Sequence, residues 1–194
     1  MARIAIGVLM TCCFGAIAVL SSSAFATQSE SPTHTELAAI DTIALQRDLA
    51  TLAAPIRSEH SLNRHLSAGL AESPLRYLSQ PALRRFLASL EFNELGLTTF
   101  RYTELENELT PTQIYEVLSL FGQQHQTPKL RYARVVTPLD ADILRGAIPG
   151  VMPAGLACDV VSIGEDQCGD RKDYRCISPG TCGPSETLIC TSNC

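Results

Sequence analysis

The last 37 residues, 158–194, hold six of the chain's eight cysteines, Cys158, Cys168, Cys176, Cys182, Cys190 and Cys194, and the chain ends on the sixth. A segment this short buries too little apolar surface to fold alone, and below about 40 residues cross-links or a metal ion normally supply the missing stability. Three bridges closing loops of about 15 residues would each contribute roughly 3 kcal/mol in the chain-entropy description, together rivalling the stability of an ordinary small domain. Zinc is the other use of so many thiols, but its ligands come as close cysteine pairs. Only Cys190 and Cys194 are so close, and no histidine follows Cys158. Disulfides are therefore expected, with no metal and no cofactor. Spacing alone leaves their connectivity open.

Disulfides need an oxidising compartment, and the N-terminus offers a route to one. Arg3 is followed by an uncharged, mainly apolar run from Ile4 to Leu20, and Ala24-Phe25-Ala26 makes a small-x-small cleavage motif. This is the layout of a secretory signal peptide over residues 1–26, too short an apolar run for a membrane anchor. Cleavage after Ala26 removes Cys12 and Cys13, leaves an even number of cysteines, and places the mature chain in the periplasm or outside the cell. It also removes Arg3, so the product is one unit more acidic than the formal −5 of the whole chain. That sign disfavours nucleic acid and anionic membranes as partners.

Residues 27–145 are expected to be an irregular helical region, a candidate pro-region. Ser31 and Pro32 can open a helix in which Leu37, Ile40, Ala44, Leu45, Leu49, Leu52 and Ile56 recur at steps near three and four to make one apolar face, and Pro55 ends it. A second helix is expected over 61–70, and a third beginning near Ser79-Gln80-Pro81, with Pro81 in its first turn, Leu83, Phe86, Leu87 and Leu90 inward and Arg84 and Arg85 in water. The strongest local signal is Thr110-Pro111-Thr112-Gln113, which offers a capping hydroxyl, a proline at N1 and a glutamine at N3. Ile114, Val117, Leu118 and Phe121 follow on one face, and Gly122 closes the helix. Thr137-Pro138 repeats the device for a last short helix through Leu144. Residues 97–102 and 130–136 read as short extended pieces. Glu104, Glu106 and Glu108 suit the positive end of the helix that follows them.

From Gly146 the composition changes to an uncharged run of glycine, proline and small apolar residues, expected to be a linker over 146–157. Beyond it, Ser178-Pro179-Gly180 and Gly183-Pro184-Ser185 predict turns around Cys182. The expected fold class is mainly α: an irregular helical pro-region followed by a small, disulfide-rich, loop-dominated tail.

No nucleophile elbow, paired-histidine zinc helix or glycine-rich phosphate loop occurs in the chain. His34, His60, His65 and His125 lie in polar stretches and are expected at the surface. No catalytic residue and no enzymatic activity are therefore expected. The tail's six acidic residues outnumber its three basic ones, and Arg171, Lys172 and Arg175 gather around Tyr174 between Cys168 and Cys176. That loop is the expected contact surface for a protein or cell-surface target.

The ending, Cys182-Gly183 and then Thr187-Leu188-Ile189-Cys190-Thr191-Ser192-Asn193-Cys194, resembles the C-terminus of bacterial secreted proteins related to the bacteriocin fulvocin C. The resemblance implies a helical precursor whose cysteine-rich tail is an antimicrobial peptide, released by a processing protease. The alternative expectation is a secreted binding, effector or inhibitor protein that keeps its stapled tail as an interaction module.

Overall fold

A computed structural model describes residues 34–147 and 169–194. The expected signal peptide, residues 148–157 of the expected linker, Cys158 and Cys168 lie outside the described residues. Among the described residues no helix is long and apolar enough to cross a membrane.

Short polar signals start most of the helices. Ser58 and Ser61 form a capping box on α2 (Glu59–Ser67), and Ser79 caps α3 (Gln80–Leu87), which has proline in its first turn. Thr110 with Gln113 and Thr137 with Asp140 make capping boxes on α5 (Pro111–Ser119) and α6 (Pro138–Leu144). Each such cap satisfies backbone N–H groups that the helix cannot, worth about 1 kcal/mol. Two further helices are α1 (His34–Ala53) and α4 (Thr103–Glu108). The tight 3-10 turns Pro74–Tyr77 and Gln124–Lys129 connect elements. Residues 130–136 form no strand: Leu130 and Ala133 turn into the core, while Val135 and Val136 stay in solvent.

The expected loop-dominated tail is not found, and the fold is not mainly α. Four antiparallel strands, β1 (Glu91–Asn93), β2 (Gly96–Arg101), β3 (Arg171–Ser178) and β4 (Thr181–Cys190), form one sheet in the order β1-β2-β4-β3. The tail makes strands because it is not alone: β2, from the helical half, pairs Thr99 with Cys190, Phe100 with Ile189 and Arg101 with Leu188. Ile189 is thereby fully buried, in the same core as Leu97, Phe100, Leu118 and Phe121. The expected turn at 183–185 lies within β4 instead, with Gly183 opposite Arg175 and Pro184 opposite Tyr174. Pro184 cannot donate to a ladder, and it occupies the part of β4 that has only β3 beside it.

At the centre of the core, Phe86 meets Phe100 and Phe121 edge to face, with centroids 6.5 and 6.0 Å apart, the arrangement that ring quadrupoles favour. The other correction concerns α1. Of its expected apolar face, Leu45, Leu49 and Leu52 are all more than half exposed, while Ile56, just beyond the helix, is fully buried. The helix lies instead on Gly122, where a Cβ would come within 2.5 Å of the Thr51 Cα and where φ is +71°. This glycine both ends α5, as its position predicts, and lets α1 approach.

Candidate functional site

Where the end of β2, residues 129–132 and the start of β3 come together, the chain leaves an open cleft of about 530 Å³ lined by Tyr102, Lys129, Arg131, Tyr132, Lys172 and Asp173. Tyr102 follows β2, residues 129–132 leave the second 3-10 turn, and Lys172 and Asp173 stand on β3. The site is thus built by both halves of the chain. Its centre is the Lys172 ammonium, 4.2 Å from the centroid of the Tyr102 ring and 5.6 Å from that of Tyr132, within the range of cation–π attraction. The same ammonium donates to Glu106 Oε1 at 3.1 Å and to the Lys129 carbonyl at 3.2 Å.

Asp173 has φ of +64°, a conformation that costs a non-glycine residue energy and that aspartate tolerates better than most. There the ladder between β3 and β4 shifts register, and the Asp173 carboxylate accepts from the Tyr102 hydroxyl at 2.6 Å. Burial, and then the hydrogen bond to Asp173, push the Tyr102 phenol well above its ordinary pKa, so at neutral pH it stays protonated and donates. The remaining polar groups face outward. Asp173 Oδ2, the Arg131 guanidinium and the Tyr132 hydroxyl make no hydrogen bond or ion pair with any described residue, and Tyr132 is 84% exposed.

Behind the cleft lies the group that holds β3 in place. Asp170 is buried, its carboxylate 3.1 Å from His125 Nε2 and 3.5 Å from Arg47 Nη1, and it accepts the Ser192 backbone N–H at 2.7 Å. Its carbonyl takes the Lys129 ammonium at 2.7 Å. Burial alone would raise the Asp170 carboxyl, but the charge and hydrogen bond of His125, with Lys129 and Arg47, hold it well below the usual carboxylate range. Burial lowers the Lys129 pKa, and the Asp170 charge opposes that. Gly169, at φ +68°, lets the chain pass Ser192, which a Cβ there would meet at 2.7 Å.

The four residues of the expected contact loop lie on β3, not in a loop, and they part company. Lys172 enters the cleft. Arg171 stacks on Tyr174 with its guanidinium carbon 4.5 Å from the ring centroid, and Arg175 pairs with Glu91 of β1 at 2.7 Å. Four of the six expected disulfide cysteines are described and form two bridges, Cys176 to Cys194 and Cys182 to Cys190. The sulfurs of Cys182, Cys190 and Cys194 lie within 4.8 Å of one another, a closeness that follows from packing the two bridges side by side.

Sequence reasoning missed the rest of the site. His125 is only 5% exposed, contrary to the expected surface position, because a tail carboxylate 45 residues away meets it. The glutamates expected to serve a helix end are paired instead: Glu104 with Arg85 at 2.8 Å, Glu106 with Lys172, and Glu108 with Ser79 through its backbone N–H and hydroxyl. Arg85, placed in water by the helix pattern, is thus partly held to the surface of α4. Tyr102, Arg131 and Tyr132 bear no local motif, so only the folded chain reveals them. Comparison with known proteins finds no match: no family model, no curated protein and no solved structure is similar to this chain.

Proposed function

We propose that the protein is exported to the periplasm or beyond, is oxidised there, and acts without catalysis as a binding protein that keeps its C-terminal tail. The cleft around Lys172 is its contact surface. The observation that supports this reading is the origin of the cleft wall: Tyr102, Lys129, Arg131 and Tyr132 come from the helical half and Lys172 and Asp173 from the tail. Cutting the two apart would destroy the site and expose Ile189 together with its neighbours in the core. A released, bacteriocin-like peptide would also lose β2, which flanks β4.

Mass spectrometry of the exported material under non-reducing conditions tests this. The expected result is one intact chain beginning at Thr27 that takes up no alkylating label when denatured. A free fragment carrying residues 158–194 would overturn the reading in favour of the precursor that the fulvocin C resemblance implies. Labelling of two or more thiols would show that not all six tail cysteines are bridged.

A further inference from the structure

Resting on that reading of the cleft, we infer that its ligand is a small ring bearing one carboxylate and at least one hydroxyl, as found in a uronic-acid sugar or a hydroxylated aromatic acid. Charge sets the first requirement. Three cationic side chains, Lys129, Arg131 and Lys172, line the cleft against one carboxylate, Asp173. Lys172 is already matched by Glu106 at 3.1 Å, and Lys129 is turned to the Asp170 carbonyl. Arg131 is the cation left without a partner among the described residues. One planar fork of N–H donors fits one carboxylate in a two-point contact, and a phosphate-rich ligand would bring more negative charge than the site balances.

The ring follows from Tyr132. Its largely exposed side chain lies beside Arg131 on the wall of the cleft, and an exposed aromatic face next to a cation gives a flat or saccharide ring a surface to stack on. The hydroxyl follows from Asp173, whose Oδ1 is taken by Tyr102 at 2.6 Å while Oδ2 has no donor among the described residues. A backbone held at φ +64° aims this carboxylate, and residual strain of that kind gathers at binding sites. A cleft of about 530 Å³ falls within the range of ordinary small-ligand sites.

The test is a ¹H–¹⁵N NMR titration of the oxidised, intact protein with glucuronate, 4-hydroxybenzoate, glucose, acetate and inorganic phosphate. At least one ring acid is expected to shift the amides of residues 131, 132, 172 and 173, with a dissociation constant of the order of 1 mM. Glucuronate acting alone identifies a sugar acid, and 4-hydroxybenzoate acting alone an aromatic acid. Arg131→Gln is expected to weaken that binding roughly tenfold, and Tyr132→Ala severalfold. Both side chains are exposed, so folding is not at risk in either variant. Glucose or acetate binding as well as the ring acids would overturn the assignment, and so would ring-acid binding that survives Arg131→Gln. Phosphate shifting the cleft while both ring acids fail would overturn the ligand class and leave the binding reading standing. A cleft silent to all five probes would overturn the ligand class too, while the mass measurement decides separately whether the tail is retained.

Discussion

The inner end of β4 and the helix α1 are both rich in aliphatic side chains, and the protein treats them in opposite ways. Ile189 of β4 is fully buried, whereas Leu45, Leu49 and Leu52 of α1 are 58%, 55% and 61% exposed. The strand has β2 on one side and β3 on the other at Ile189 and Cys190. The helix meets the described part of the molecule through Ala50 and Thr51 on Gly122 and through Arg47 on Asp170. A stripe of leucines is buried only where something covers it, and close backbone contact with an ion pair can hold a helix by its other side.

Changing Ile189 to alanine strikes the buried side of this contrast and carries the largest expected effect. Removing a fully enclosed aliphatic side chain should cost about 4 kcal/mol, through lost transfer energy and a cavity in the core opposite Phe100. An unshifted urea midpoint would mean that β4 is not central to the sheet.

Asp170→Asn comes next, at about 3 kcal/mol, because it leaves His125 and Arg47 facing a neutral amide inside the protein. The same carboxylate sets an acid limit. Asp170 is held well below the usual carboxylate range, as is Asp140, where burial opposes but hydrogen bonds from Thr112, Thr137 and Val136 prevail. A carboxyl whose folded pKa is depressed stabilises the protein above its unfolded value, near 3.9, and that contribution is lost as pH falls further. Stability from these groups should therefore be level above about pH 5 and drop below about pH 4. Asp170→Asn should flatten the drop in urea midpoints below about pH 4, and an unchanged slope there would remove Asp170 as its source.

The double change Cys176→Ser with Cys194→Ser should cost about 2–3 kcal/mol, since the bridge spans a separation of 18 residues. Amide exchange would show whether the loss stays local: faster exchange at 174–184 with 97–101 unaffected is expected, because the backbone ladder of the outer hairpin runs between β3 and β4 alone. Equal loosening of β2 would erase the distinction between the inner and outer parts of the tail. The smallest effect belongs to α1. Leu49→Gln should change stability by no more than about 0.5 kcal/mol, and a loss above about 1 kcal/mol would mean that the leucine stripe is covered after all.

Much of this protein can be read one turn at a time. Thr110 with Gln113, Thr137 with its proline, Ser79 before Pro81 and Gly122 each act within a few residues, and all four stand where their spacing puts them. Residues 97–102 likewise supplied strand β2, to within a residue at each end. The cysteine count announced cross-linking but not the pairing, because Cys176 faces Cys182 across the hairpin and yet bonds to Cys194.

What local pattern could not decide was every contact between distant residues. Glu106 to Lys172 spans 66 positions, Tyr102 to Asp173 spans 71, and Asn93 to Asn193 spans 100. The tail looked like loops because its own 37 residues hold too little apolar surface for a core, and a strand shows itself only when an edge such as β2 is there to pair with. Caps, turns and helix periods depend on neighbours in the chain and can be read from those neighbours directly. Sheet order, the fate of the α1 leucines and the assembly of the cleft depend on which distant surfaces meet, and those meetings are visible only in the folded chain.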